Sequence, residues 1–203
     1  MSEAQGLDGD RRDPANGYES VAAQYIAGRG TGGTIGVKQV RDWAATVRPG
    51  GSVLDLGCGP GFPITQVLVD GGFTVYAVDA SPSMVAAVQA RLPRVHVVCE
   101  PVETSTLFGR SFDGVIAWGL LFLLGPAAQE RLILKVAHAL APNGQFVFTA
   151  PRQAAEWNDA MTGLPSVSLG ADRYRRLIED AGLALTGETE DEGESRYYMA
   201  TRV

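Results

Sequence analysis

Residues 53–61, Val-Leu-Asp-Leu-Gly-Cys-Gly-Pro-Gly, carry the spacing most suggestive of chemistry in this chain. Gly57, Gly59 and Gly61 alternate behind an apolar run that reads as a strand and ahead of a segment that reads as a helix. Glycine has no Cβ, so such a loop lets a ligand lie against the backbone. A tight loop at a helix start also offers backbone N–H groups. Dinucleotide folds use G-x-G-x-x-G with a pyrophosphate at the helix N-terminus. Here the pattern is G-x-G-x-G, and position 62 is Phe. Asp55 sits inside the strand just before the loop. A carboxylate there suits a ligand bearing an ammonium group and is a poor neighbour for a pyrophosphate. Bracing of the loop by a buried Asp55 is the alternative role.

A second acid, Asp79, ends the next strand-like run about 20 residues after Gly57, the offset of a ribose-binding acid. Its two oxygens can accept from two ribose hydroxyls. Met84, one turn into the following helix, either packs on a purine face or belongs to the core.

Composition narrows the partners. The 203 residues are 45% hydrophobic and carry a net charge of −6. A nucleic-acid ligand needs a basic face. The densest basic cluster, Arg173, Arg175 and Arg176, is interleaved with Glu179 and Asp180 and reads as a solvated helix face. Two cysteines, Cys58 and Cys99, and two histidines, His96 and His138, lack metal-ligand spacing, so no metal is expected. No apolar run approaches the roughly 18 residues of a membrane span. Met1–Arg12 is polar and lacks a signal-peptide core. A cytoplasmic protein with no nucleic-acid or membrane partner is the expectation.

The elements that must position these residues alternate. Residues 1–16 read as disordered, and 17–203 as a single domain. Helices over 17–28 and Val37–Thr46 form an N-terminal cap within 17–48. Strands are expected at Ser52–Leu56, Thr74–Val78, Val95–Cys99, Phe112–Ala117 and Gln145–Thr149. Helices are expected from Pro63 as a first helical residue, from the Ser81 N-cap with Pro82 behind it, over Ala128–Leu140, and over Asp172–Ala181 with Gly182 as its stop. A hairpin of Leu183–Glu188 and Arg196–Thr201 closes the chain. Fully apolar strands alternating with helices imply a doubly wound, Rossmann-like α/β sheet, mostly parallel, with helices on both faces. The hairpin adds one antiparallel strand. Such sheets bind ligands beyond the carboxyl ends of their strands. The stretch 151–170 is long for a connection. It is expected to fold over the substrate with Arg152, Trp157, Asp159, Met161, Ser166 and Ser168.

With these elements placed, the chain resembles the class I S-adenosylmethionine-dependent methyltransferases of the small-molecule type. Val53–Gly61 matches their first motif, and Asp79, in Val-Asp-Ala-Ser-Pro-Ser-Met, matches their ribose acid. Ser111–Ile116 and Leu140–Gln145 match later landmarks, and the likeness covers residues 18–203. The resemblance implies that Gly57, Cys58, Gly59 and Gly61 line the methionine part of the cofactor. Asp55 then orients its ammonium indirectly, and Asp79 holds the ribose. Tyr25, Ala80, Met84 and Trp118 complete the cofactor set. The family often places an Asp-Ala pair after the third strand. This chain has Pro101-Val102 followed by Glu103, so the adenine amine meets Glu103 or a carbonyl, and the Val102 N–H remains available.

The implied reaction is in-line methyl transfer to a small molecule, leaving S-adenosylhomocysteine. Positioning and desolvation supply most of such catalysis, and no catalytic residue is assigned. The apolar segment Ala117–Leu124 points to an aromatic or apolar acceptor touched by Trp118, Phe122, Arg152 and Trp157. Trp118 and Phe122 as core residues is the other reading. The acidic stretch Glu188–Glu194 attracts a cationic substrate, acts as a base, or is a solvated turn. Neither His96 nor His138 is expected at the site. A nicotinamide-dependent oxidoreductase is the competing enzyme reading, weakened by the absent third dinucleotide glycine. A non-catalytic S-adenosylmethionine-binding module is the other. The acceptor, the atom methylated and the oligomeric state stay open.

Overall fold

A computed structural model describes residues 13–29 and 33–203. The disorder expected for 1–16 therefore falls outside the described residues up to position 12. Residues 13–16 are a turn, with Asp13 accepting from the N–H groups of Ala15 and Gly17 at 2.9 Å each.

The sheet is built as the apolar runs demand. Strands β1 (Ser52–Leu56), β2 (Thr74–Asp79), β3 (His96–Cys99), β4 (Phe112–Ala117) and β5 (Leu140–Thr149) are joined by parallel pairing. Two further strands, β8 (Leu183–Glu190) and β9 (Arg196–Arg202), form the expected hairpin. Strand β9 runs antiparallel to both β5 and β8, in the order β3-β2-β1-β4-β5-β9-β8. Alternate side chains face opposite ways, and both faces are covered. Leu54, Leu56, Val115, Phe146 and Phe148 enter one core with helices α5 (Pro126–Ala139) and α6 (Ala171–Asp180). Val53, Ile116 and Val147 enter the other with α2 (Val37–Ala44), α3 (Ile64–Asp70) and α4 (Pro82–Arg91). The remaining helix, α1 (Ala22–Arg29), packs on α4.

The strand order reverses at β1. The chain runs outward through β2 and β3, then returns to β4 on the other side of β1. The loops leaving β1 and β4 diverge there, and the crevice between them is where doubly wound sheets hold ligands.

Several boundaries differ from the sequence expectation, among them the first helix, which begins at Ala22 and not at 17. Pro63 caps α3 instead of starting it, and helical residues begin at Ile64. Helix α5 ends at Ala139, and β5 starts at once. Its Pro142-Asn143-Gly144 turn sits inside the strand, where pairing with β4 jumps from Phe112↔Leu140 to Gly114↔Gln145 and Asn143 adopts φ +62°. Finally, the connection 151–170 is a hairpin of β6 (Ala154–Asn158) and β7 (Pro165–Leu169), paired with each other outside the main sheet. Its turn hides an Asx pattern in Asn-Asp-Ala-Met-Thr-Gly: Asp159 Oδ1 accepts from the N–H groups of Met161 and Thr162.

A buried glutamine fastens this hairpin to the helical face. The Gln129 amide nitrogen donates to the carbonyls of Leu124 and Val167, both at 2.9 Å. Its Oε1 accepts from the Tyr174 hydroxyl at 2.8 Å, and that hydroxyl accepts from the Leu169 N–H at 3.1 Å. Gln129→Leu keeps the bulk but strips partners from buried carbonyls and a hydroxyl. It should cost roughly 1–3 kcal/mol, read as a lower midpoint in urea unfolding with an unchanged slope. An unaltered midpoint would show that the hairpin is held by packing alone.

Candidate active site

The loop after β1 is set by its own backbone. Gly57, Gly59 and Gly61 adopt φ of +66°, +53° and +77°, which side-chain-bearing residues rarely take. The three glycines do different work. A Cβ on Gly57 would press on Leu120, 2.8 Å from its Cδ1. A Cβ on Gly59 would point toward the crevice, with Tyr25 the nearest side chain at 3.7 Å. A Cβ on Gly61 would meet Leu92 and Val88 at 3.1 and 3.2 Å. Gly61 thus lets α4 pack on the loop and does not line the crevice.

The N–H groups that this loop was expected to offer a ligand are already used. Those of Gly57 and Cys58 donate to the Val78 carbonyl, at 2.8 and 3.2 Å. That of Gly61 donates to Cys58 O at 3.1 Å. That of Gly59 donates to Asp79 Oδ2 at 2.8 Å, and Asp79 Oδ1 accepts from the Ser81 N–H at 2.9 Å. Asp79 therefore ties the glycine loop to the start of α4. A carboxylate has more acceptor sites than these bonds use, and Asp79 also lines the crevice. Burial pushes its pKa up, against the pull of these N–H donors. Asp55 is 1% exposed, and burial pushes its pKa up to about 7. Its Oδ2 accepts from the Thr65 hydroxyl at 2.7 Å. It both braces the loop and faces the crevice.

The crevice is a cavity of about 530 Å³. Of the sequence-expected cofactor residues, it gathers Tyr25, Asp55, Gly57, Cys58, Gly59, Asp79, Ala80, Met84, Val102, Glu103 and Trp118, and leaves out Gly61. Of the expected acceptor residues, it gathers Trp118, Phe122 and Trp157. The rings of Phe122 and Trp157 are in contact, 5.6 Å between centroids. Arg152 lies elsewhere, in a second hollow with Arg173, Arg175 and Arg176. It directly follows Pro151, which lines the cavity, but falls in the other hollow; the far end of the hairpin brings Trp157, Asp159 and Met161 to the cavity.

The N-terminal segment roofs the cavity. Glu19 accepts from the Ser81 hydroxyl and from the N–H and hydroxyl of Ser83, the latter two at 3.1 and 2.7 Å, at the N-terminus of α4. On the far wall, the Tyr18 hydroxyl donates to Asp159 Oδ2 at 3.2 Å. Pro14, Ala15 and Asn16 line the cavity between them. Sequence reasoning missed these three, although Asp13-Pro14 and Asn16-Gly17 are turn dipeptides. Glu194, in the acidic turn before β9, also lines the cavity. His138 is exposed on α5, and His96 stacks on Tyr76 on β2, 4.7 Å between centroids. Among the described residues there is no group of His, Cys, Asp and Glu arranged to hold a metal, and no helix long and apolar enough to cross a membrane.

Residues 53–144 match the family model described as a methyltransferase domain. This stretch is a methyltransferase domain. Its surroundings agree. An uncharacterised methyltransferase of Mycobacterium tuberculosis is 33% identical over 138 residues, 66% of this chain and 52% of that protein. The cypemycin N-terminal methyltransferase of a Streptomyces species is 34% identical over 149 residues, 70% of this chain and 60% of that protein. The chain thus spans roughly half to three-fifths of the curated relatives it matches. In fold, the methyltransferase domain and its additions resemble the 1,6-didemethyltoxoflavin-N1-methyltransferase of Burkholderia thailandensis. The TM-score is 0.71 and the identity 18%, covering 100% of this chain and 98% of that one.

The division of labour among the glycines is testable. Gly59→Ala and Gly61→Ala each force a left-handed alanine, a strain of roughly 1–2 kcal/mol. Gly61→Ala also crowds α4 and should show the lower melting temperature. Gly59→Ala should show the greater loss of S-adenosylhomocysteine affinity by calorimetry. The reverse order in either measurement would refute the assignment.

Proposed function

We propose that this protein transfers a methyl group from S-adenosylmethionine to a small molecule. The observation that carries this reading is the glycine loop. Its four amide N–H groups are spent on protein acceptors, and the acids beside it, Asp55 and Asp79, face the cavity. A pyrophosphate would find these four amides taken and two carboxylates beside them. A cationic, amino-acid-bearing adenosine would find favourable charge, which disfavours a nicotinamide dinucleotide.

The residues present fit that group. Asp79 holds the ribose with its crevice-facing acceptor sites, and Asp55 lies where an ammonium is stabilised. Met84, Val102, Glu103 and Ala80 supply the adenine side. Gly59 leaves the backbone bare beside Tyr25. The cofactor supplies a methyl group on a sulfonium, already activated toward displacement. What remains for the protein is to orient the acceptor and exclude water. Trp118, Phe122, Trp157, Leu120 and Met161 form an apolar wall, and the Tyr18–Asp159 contact closes the roof.

We infer the acceptor's character from the same lining. Asp55, Asp79, Glu103, Asp159 and Glu194 bring carboxylates, and among the described lining residues Arg196 is the only cation. Arg196 is itself paired with Glu188 at 2.7 Å and Glu190 at 2.9 Å. The acceptor is an apolar, aromatic-bodied small molecule that is neutral or cationic, such as an amine, and not a carboxylate or phosphate anion. The Streptomyces and Burkholderia proteins, named for an N-terminus and an N1 position, are compatible with an amine.

A thermal-shift panel tests the cofactor. S-adenosylmethionine and S-adenosylhomocysteine at a hundredfold excess over Kd should raise the melting temperature by about 5–10 °C, while NAD and NADP leave it unchanged. Stabilisation by NAD instead would overturn the reading. Asp79→Ala should weaken S-adenosylhomocysteine binding at least about tenfold, the equivalent of one charge-assisted hydrogen bond.

The raised Asp55 pKa sets a pH dependence. Its carboxyl is largely protonated below about pH 7, and a cationic ligand favours the ionised form. Binding must then release a proton, so S-adenosylmethionine affinity should climb from pH 5.5 to about 7 and level off above. Asp55→Asn should flatten that profile. An identical profile in the variant would remove Asp55 from ligand recognition.

A further inference from the structure

A buried hydrogen-bond chain behind the cavity has no part in the reading above. Tyr197, on β9, is 1% exposed and does not itself line the cavity. Its hydroxyl accepts from the indole Nε1 of Trp118 at 2.6 Å and donates to Asp191 Oδ2 at 2.8 Å. The other oxygen of Asp191 accepts from the N–H groups of Gly193 and Ser195, at 2.9 Å each. Trp118 is a wall of the cavity, and Gly193, Glu194, Ser195 and Arg196 form part of its rim. One hydroxyl thus joins two separate parts of the same site, at the end of β4 and before β9.

The surroundings hold the chain in one arrangement. Burial pushes the Tyr197 hydroxyl above its ordinary pKa, so it stays a proton donor to Asp191. Gly36, at φ +78°, lets the entry to α2 pass directly over the pair. A Cβ there would collide with the Tyr197 hydroxyl and come within 2.8 Å of Trp118 Nε1. Ile35 covers Gly193 in the same way, 3.0 Å from where a Cβ would lie. Tyr197 is 1% and Asp191 8% exposed, and in such a setting each hydrogen bond is stronger and its loss costs more.

We propose that Tyr197 is a positioning residue for this site: its hydroxyl sets the plane of the Trp118 indole and, through Asp191, the place of the 193–196 rim. The donor-side residues Asp55, Gly59 and Asp79 hang on a different set of bonds, to Thr65, Ser81 and the loop backbone. Removal of the Tyr197 hydroxyl therefore loosens the acceptor half and spares the donor half. The kinetic part of this inference rests on the methyltransferase reading; the structural part does not.

The test uses protein labelled with ¹⁵N at its three tryptophan side chains, with Trp118→Phe to assign the Trp118 signal. In the wild type the Trp118 indole proton should resonate downfield and exchange slowly with water. Tyr197→Phe should move it upfield and speed its exchange about tenfold, the scale of one lost hydrogen bond, while Trp43 and Trp157 stay in place. Asp191→Asn should move the Trp118 signal in the same direction with Tyr197 intact. S-adenosylhomocysteine affinity should change less than about threefold in Tyr197→Phe. With the best acceptor from a panel of aromatic amines, KM should rise about fivefold, with the smaller change in kcat. An unmoved Trp118 signal in both variants overturns the proposal, as does collapse of all three signals together in both. Failure of the wild type to bind S-adenosylhomocysteine would instead sink the methyl-donor reading, and the indole spectra would still decide the role of Tyr197.

Discussion

The hydrogen bond from the Gly59 N–H to Asp79 is the constraint on which the rest of the site depends. It joins the loop after β1 to the end of β2 beside the crevice and fixes a backbone that only glycine can adopt cheaply. With the Val78 carbonyl taking the Gly57 and Cys58 amides, the loop is closed on itself and on its neighbour strand. Under the proposed function the loop receives its ligand by shape and by acidic charge, its own four amides being already paired. That single fact separates this crevice from a pyrophosphate site built on the same kind of sheet.

The opposite half of the cavity is assembled from segments that the sheet does not order by itself. The β6–β7 hairpin is fastened by Gln129 and Tyr174 and brings in Trp157, Asp159 and Met161. The turn before β9 is wound around Asp191. The N-terminal segment spans both halves, anchored by Glu19 on α4 and by Tyr18 on the hairpin. Apolar rings enclose the space, and carboxylates outnumber cations around it. The proposal of an uncharged or positively charged acceptor rests on this composition.

The sheet was legible in the sequence because fully buried strands leave continuous apolar runs, as in Ser52–Leu56, and because Ser81-Pro82 and Gly182 mark helix ends without ambiguity. The cofactor half was legible because it is local: one loop and one strand end carry it. Two details there escaped. Gly61 shares its spacing with Gly59, yet faces α4, since spacing cannot say which side of a loop a missing Cβ would take. Val53–Gly61 also cannot show that its amides are already paired, because their acceptors lie on another strand. The acceptor half was less legible because it is non-local. The polar faces of Ala154–Asn158 and Pro165–Leu169 hide their strand character, and Arg152 falls just past Pro151, where the chain leaves the cavity for a hairpin that reads as a loop. Tyr197 looked like a residue of a closing strand. Its link to Trp118 arises only when β9 completes the sheet beside β5.

A crystal structure of the protein with S-adenosylhomocysteine tests the central claim most directly. The account places the ribose hydroxyls on the Asp79 carboxylate, the ammonium near Asp55 and the thioether toward the Trp118–Trp157 wall, with the 57–61 loop unmoved. Density for the ligand at another place on the sheet, or a loop that must break its Gly59–Asp79 bond to admit it, would contradict the account.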